Sequence, residues 1–362
     1  MNYSFISPGK YIQGPNVLAE LGSRCDTLGQ HALILISDGG WGRLGDTISE
    51  SFAKASAAFE RVPFGGECTE KAIHEAMDKA QECGCDVIVG IGGGKTIDTA
   101  RAAAHHLKMP MISCPTIAAT DAPTSALAII YTEEGVFVES MGLRKNPDIV
   151  LVDSAIIASS PVRLTVSGMG DGLATYYEAR ACYAHEAANS AGGISTITAM
   201  AIAKACRDTI LENGYKAKLA LEEGALTRSV EAIIEANTLM SGLGFENAGL
   251  AAAHSINNGL SAVEECHAMY HGEKVAFGIV TQLILENAPE EEIYEVIDFC
   301  RAVGLPVSLE ELGVTENKKE KAWIVAQAAC GEGEVGFNMP MEITPERYYN
   351  AILAADALGR DA

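Results

Sequence analysis

The feature that most limits this chain is an alternation running through residue 150. Short apolar, β-branched runs give way to glycine-rich or polar turns and then to alanine-rich stretches. Ala32 to Ser37 (ALILIS) reads as a buried strand, followed by a turn at Asp38-Gly39-Gly40 and a helical stretch near Arg43 to Ala57. Val87 to Ile91 (VIVGI) is a second strand; it enters Gly92-Gly93-Gly94 and a helix from Thr96 to His106. Pro110 to Cys114 and Val150 to Asp153 read as further strands. Strands alternating with helices predict an α/β fold with a parallel sheet covered on both faces. From Pro161 the β-branched runs thin out and Ala-rich amphipathic segments take over, so this part reads as all-α, with Ser159-Ser160-Pro161 as a loop capping a new helix.

Composition then bounds the rest. With 362 residues, 48% of them hydrophobic, the chain is long enough for two domains, placed at 1–160 and 161–362. The net charge of −22 argues against nucleic acid and anionic lipid, because binding either is driven by Lys and Arg neutralising phosphate. A small molecule is the expected partner. The 10 cysteines are scattered and mostly lie in apolar stretches, which suits buried thiols rather than a disulfide framework. The N-terminus lacks the charge and apolar core of a secretory signal, and no apolar run approaches the ~18 residues needed to span a bilayer; a cytoplasmic protein with no membrane partner is expected.

Three turns follow directly after expected strands: Asp38-Gly39-Gly40, Gly92 to Thr96, and Thr116 to Asp121. In an open parallel sheet the ligand crevice lies beyond the carboxyl ends of the strands, so these turns are its candidate lining. The glycine cluster fits neither common phosphate motif fully. A P-loop would need glycine at Val89, and the dinucleotide fingerprint would need one at Lys95. It reads either as a backbone cradle for a pyrophosphate or as a tight packing turn. Asp38 reads either as an acceptor for an adenosine ribose, which would favour NAD over NADP, or as a helix N-cap.

A second constellation lies in the helical half. Asp171 sits in GMGDG, His254 in AAAHSINN, and His267 and His271 in HAMYHGEK. A carboxylate with two imidazoles suits a borderline metal such as zinc, and three protein ligands leave room for substrate. By itself, His254 among alanines also reads as a hydrogen-bonded core histidine.

At these residues the chain resembles the zinc-dependent glycerol dehydrogenases, within the iron-containing alcohol dehydrogenase and dehydroquinate synthase superfamily. The matching stretches are GGGKTIDTA (from Gly92), CPTIAATDAPTSALAIIYT (from Cys114), GDGLATYYEARA (from Gly170), GLAAAHSINNGL (from Gly249) and HGEKVAFG (from His271), in the family's order and across the whole chain. The resemblance implies a Rossmann-like N-terminal domain, an all-α C-terminal domain and an active site in the interdomain cleft. It implies Zn2+ on Asp171, His254 and His271, and NAD on Asp38, the turn Gly93, Gly94, Lys95, Thr96 and Ile97, the segment Thr116, Ile117, Ala118 and Ala119, and Ser125, Leu127 and Tyr131. It also implies Asp121 holding the polyol hydroxyls, with Phe245 and His254 near the substrate. The family's iron enzymes add a histidine one helical turn after the aspartate; here that position is Thr175, as in the zinc branch. His267 is read as lying outside the ligand set. Arg101 stands where lysine is frequent, and Tyr176-Tyr177 where Trp-Phe is frequent, a change able to reshape the substrate pocket.

The implied reaction is NAD-dependent oxidation of glycerol, or a related vicinal diol, to dihydroxyacetone, with zinc polarising the hydroxyl. A homo-oligomer is implied, with an octamer as the candidate size. A lyase working on an anionic substrate would need several basic residues near the metal, and only Lys274 adjoins a ligand motif. A non-catalytic dinucleotide sensor would give Asp171, His254 and His271 no common purpose.

Overall fold

The computed structural model describes residues 2–361. The chain folds as two compact units, one formed by Ile6–Ser160 and the other by the residues from Pro161 onward together with those up to Phe5. A first domain beginning at residue 1 is the expectation from sequence. Tyr3 instead bridges to Ile194, and the Ser4 hydroxyl donates to the Ala191 carbonyl at 2.7 Å, which ties the start of the chain to the second unit.

The first unit contains β1 (Tyr11–Gly14), β2 (His31–Ile36), β3 (Ala58–Pro63), β4 (Val87–Gly92), β5 (Met111–Pro115), β6 (Leu127–Tyr131), β7 (Phe137–Gly142) and β8 (Ile149–Asp153). Six of these form a wholly parallel sheet in the order β1-β8-β5-β4-β2-β3, while β6 and β7 pair as a separate antiparallel hairpin. Its helices are α1 (Leu21–Cys25), α2 (Asp38–Ala53), α3 (Glu70–Cys83), α4 (Gly94–Leu107) and α5 (Ser154–Ala158). Side chains alternate across a strand, and the two faces of β2 are buried by different helices. Ile34 and Ile36 pack with Leu21, Ile48 and Phe52 of α1 and α2. Leu33 and Leu35 pack with Ile73 and Ala76 of α3 and with Ile97 and Ala100 of α4. The expected doubly covered parallel sheet is therefore present.

Two local readings need correction. Asp38-Gly39-Gly40 is not a turn before a helix but the first turn of α2, because Ser37 accepts the Gly40 N–H at 3.1 Å and caps it. That helix ends at Ala53, and the chain then forms β3, a strand whose sequence AFERVP carries two charges. Both β1 and β3 are sheet edges, half solvated, so neither needs the unbroken apolar run that marks β2 and β4.

The strand order places the site. From β2 the chain goes to β3 on one side, then returns to place β4 on the other, so the winding direction reverses between β2 and β4. Ile36 is in register with Ile91 across that pair. The segments after the two strands diverge there and leave a crevice at their carboxyl ends.

The second unit is helical: α6 (Val162–His185), α7 (Ile197–Glu222), α8 (Arg228–Glu235), α9 (Ser241–Ala248), α10 (Ala252–Leu260), α11 (His271–Leu285), α12 (Glu290–Val303), α13 (Lys318–Ala328) and α14 (Pro345–Asp361). A single π turn, Ala236–Met240, joins α8 to α9. The serines before α6 do not cap it. Their hydroxyls donate at 2.7 Å to the Ile156 and Ile157 carbonyls and close α5, and Pro161 begins the new helix. Among the described residues no helix is long and apolar enough to cross a membrane.

Candidate metal and coenzyme sites

In the second unit, three helices converge because glycine lets their backbones touch. A Cβ on Gly272 would lie 1.8 Å from the Ser167 carbonyl oxygen, and one on Gly170 would lie 2.3 Å from that of Gly272. A Cβ on Gly278 would meet the Ala253 carbonyl at 2.4 Å. The first two contacts bring the start of α11, and so His271, against α6 and Asp171; the third brings α10 and His254 against α11. The Glu273 carboxylate, held by the Arg163 guanidinium at 2.6 and 2.8 Å, accepts the Tyr270 N–H at 2.8 Å and fixes the first turn of α11.

Asp171 is 1% exposed. Its Oδ1 lies 3.2 Å from His271 Nε2 and 3.4 Å from His254 Nε2. Among the described residues these three side chains form the one group of His, Cys, Asp or Glu able to share a metal, with ligand atoms within 4.8 Å of one another. Tetrahedral zinc with bonds of ~2.0–2.2 Å holds its ligand atoms about 3.4 Å apart, so both edges from Asp171 fit the ion.

His254 is oriented by a residue that the motifs did not single out. Glu178, fully buried, accepts His254 Nδ1–H on Oε2 at 2.6 Å, and on Oε1 it accepts the backbone N–H groups of Ala251 and His254, each at 2.9 Å. With the proton held on Nδ1, the Nε2 lone pair faces Asp171 as a ligand must. Glu178 lies two helical turns after Asp171 on α6, on the same face, so an i, i+7 search for carboxylates could have found it. The Gln282 side-chain oxygen accepts the Ala253 N–H at 3.0 Å and completes the support of α10.

Burial by itself would raise the pKa of Asp171, but His271 and His254 beside it hold its carboxyl well below the usual carboxylate range. For His254 burial acts downward, yet Glu178 and Asp171 outweigh it and hold the imidazole well above its ordinary value. Thr175, one turn beyond Asp171, is buried with its hydroxyl 3.0 Å from that of Ser241. His267 lies outside the cluster, its Nε2 3.0 Å from the Ser261 carbonyl oxygen. Phe245 is buried in α9. Tyr176 and Tyr177 stack with Arg180, whose charge is paired with Glu286 and Glu292, and Tyr176 also lies 5.1 Å from the Arg207 guanidinium.

In the first unit, the turns flanking the β2/β4 reversal carry the expected coenzyme residues. Asp38 opens α2, largely exposed, and pairs with Arg61, whose guanidinium lies 5.1 Å from the Trp41 ring centroid. Gly93 is the N-cap of α4, and Gly94, Lys95, Thr96 and Ile97 form its first turn; the Ile97 N–H donates to the Gly93 carbonyl at 3.1 Å, and the N–H groups of Gly94, Lys95 and Thr96 lie at the open N-terminus of the helix. Lys95 pairs with Glu67 at 2.5 Å and lies over the Tyr131 ring at 5.2 Å. Burial pushes the Tyr131 hydroxyl up to about 12. The Thr116 N–H donates to the Gly92 carbonyl at 3.0 Å, which lays Thr116, Ile117, Ala118 and Ala119 beside the glycine turn. Asp121 precedes the short 3-10 turn Ala122–Thr124, and the buried Ser125 leads into Leu127, the first residue of β6.

A family model described as iron-containing alcohol dehydrogenase matches residues 8–154. A glycerol dehydrogenase from Citrobacter freundii is 48% identical over 354 residues, 98% of this chain and 97% of the relative. The chain belongs to the iron-containing alcohol dehydrogenase family. Two solved structures in this family match it nearly end to end. A probable glycerol dehydrogenase from Sinorhizobium meliloti superposes with a TM-score of 0.92 at 45% identity, covering 100% of both chains. The glycerol dehydrogenase of Schizosaccharomyces pombe gives 0.94 at 36% identity, covering 99% of this chain and 92% of that one. Both a parallel sheet in the N-terminal region and a helix-rich remainder belong to the family fold.

Proposed function

We propose that this protein is a glycerol dehydrogenase that oxidises glycerol, or a related vicinal diol, with NAD. The observation that carries the reading is the triad of buried Asp171 and His254 with half-buried His271, whose spacing suits one zinc ion. The likeness to glycerol dehydrogenases over the whole length supports the substrate class.

In the overall reaction the secondary C–H of glycerol leaves as hydride to NAD+ and the hydroxyl proton passes to solvent; a C=O bond forms, giving dihydroxyacetone and NADH. Bound to the triad, Zn2+ would supply Lewis acidity that lowers the alcohol pKa toward neutrality. The rest is done by the chain. Glu178 holds the His254 imidazole in the tautomer that presents Nε2. The Asp121 carboxylate accepts hydrogen bonds from polyol hydroxyls and repels a phosphate, favouring a neutral substrate. Phe245 supplies an apolar wall near the nicotinamide. The first-turn N–H groups of α4 receive the pyrophosphate, with the helix dipole adding favourable charge. Asp38 accepts the adenosine ribose hydroxyl, and Thr116 to Ala119, Ser125, Leu127 and Tyr131 complete the coenzyme contacts. Thr175 in place of a fourth ligand supports zinc over iron. We further propose a cytoplasmic homo-oligomer, an octamer being the size the family suggests.

The test is a steady-state panel of diols and primary alcohols with NAD and NADP, before and after chelation, alongside metal analysis. Glycerol-dependent NADH formation that chelation abolishes and zinc restores is expected, with about one zinc per chain. Primary monoalcohols oxidised faster than glycerol, or full activity without metal, would overturn the reading.

A further inference from the structure

Arg101 lies in α4, two turns after the glycine turn, and is 3% exposed. Its Nη1 lies 3.0 Å from the Ser125 hydroxyl and 3.2 Å from Asp98 Oδ1, and it also donates to the Leu127 carbonyl. Its Nη2 donates to the Ala122 carbonyl. Asp98 in turn accepts the Ile129 N–H on Oδ2 at 3.1 Å. From the other side, Asn146 donates to the Thr124 carbonyl at 2.9 Å and the Leu143 N–H to that of Ala126 at 2.9 Å. The main chain from residue 122 to 129 is thus gripped at close intervals. That stretch begins directly after Asp121, contains Ser125 and Leu127, and ends two residues before Tyr131. Burial lifts Asp98 to about 6, with Arg101 and the Ile129 N–H acting against it, so the arginine also serves as the counter-charge for a carboxylate inside the unit.

We propose that Arg101 is a positioning residue for coenzyme and polyol. Its planar guanidinium sets the spacing between the Ala122 and Leu127 carbonyls, and thereby the placement of Asp121, Ser125 and Leu127 relative to the N-terminus of α4. The proposal rests on the coenzyme and polyol roles assigned above. One helix then does two jobs: its first turn faces the dinucleotide phosphates and its second and third turns hold the segment that meets the rest of the coenzyme and the substrate. Arginine suits this because its fork reaches two carbonyls in fixed geometry while still facing Asp98. A lysine ammonium is a single point that must choose among them. The terminal nitrogens face protein acceptors, so Arg101 acts through the segment and touches neither ligand.

The test compares wild type, Arg101→Lys and Arg101→Ala as zinc-loaded full-length proteins. The measurements are KM for NAD+ and glycerol, kcat, NADH affinity by fluorescence titration, zinc content and melting temperature. Wild type must bind NADH and oxidise glycerol; if it does neither, the functional reading itself fails and takes this proposal with it. Arg101→Lys is expected to raise both KM values and the NADH Kd about threefold to tenfold, with kcat, zinc content and melting temperature nearly unchanged. Arg101→Ala is expected to raise them further. A cavity of about 200 Å³ lined by Arg101, Ala104, Met111 and Leu143 opens behind the side chain, so millimolar guanidinium should restore part of the alanine variant's affinity. Should the alanine variant not fold, the lysine variant decides. Unchanged KM and Kd in Arg101→Lys would overturn the proposal. So would an affinity loss in the alanine variant that follows its melting temperature and does not recover with guanidinium.

Discussion

Replacing Glu178 by glutamine tests the proposed metal site at its support rather than at its candidate ligands. The carboxylate accepts three N–H groups: His254 Nδ1–H at 2.6 Å and two backbone donors at 2.9 Å. Glutamine has one acceptor oxygen and one NH2, so either orientation of its amide sets a donor against a donor. If the NH2 faces the imidazole, the proton moves from Nδ1 to Nε2 and the ligand lone pair is lost. If it faces the start of α10, the helix carrying His254 is pushed away. A hydrogen bond to a charged group is worth ~1.5–3 kcal/mol. At ~1.36 kcal/mol per decade that is about tenfold to a hundredfold in zinc affinity, the same range found when partners that orient metal-bound histidines are removed. Zinc Kd is measured by competition with a chromogenic chelator, and melting of the zinc-free protein controls for folding. A Kd within about twofold of wild type in a well-folded Glu178→Gln protein would refute the argument that Glu178 sets the His254 tautomer.

Four further outcomes follow. Protons should compete with zinc at His254, whose pKa Glu178 and Asp171 hold well above its ordinary value, so zinc Kd should rise as pH falls, by up to about tenfold per pH unit; a flat profile in the chelator assay would contradict this. The same raised value means that, in zinc-free protein, the stability due to this protonated group is complete below the unfolded histidine pKa of ~6.5 and is lost as pH climbs through the folded value, which denaturant midpoints across that window would show. Gly272→Ala would drive a Cβ into the Ser167 carbonyl and part α11 from α6, costing on the order of 2–4 kcal/mol; a melting temperature within a degree or two of wild type would show that the helices can yield there. Asp38→Ser should free Arg61 to meet a 2′-phosphate and raise kcat/KM for NADP relative to NAD by about tenfold or more, whereas an unchanged ratio would place the adenosine ribose elsewhere.

Some of this was open to reading in the sequence, and the reasons differ by element. The central strands β2, β4, β5 and β8 announce themselves because strands buried on both faces must be apolar throughout, and ALILI and VIVGI have no alternative use. Edge strands β1 and β3, and the hairpin of β6 and β7, did not, since half their surface meets water and charge is tolerated there. The candidate ligands Asp171, His254 and His271 were marked by residue type and motif, as was the glycine turn opening α4.

The sequence alone determined that a parallel sheet precedes a helical unit, and which side chains could hold a borderline metal. Those properties depend on each residue's own chemistry and on neighbours within a turn or a strand. Only the tertiary structure decided that Ser37 rather than Asp38 caps α2, that Glu178 orients a histidine 76 residues away, and that Arg101 braces the segment after Asp121. These relations arise where glycine lets two helices meet or where a buried charge must find acceptors on another element. No local periodicity encodes them, because the partner is chosen by packing in three dimensions.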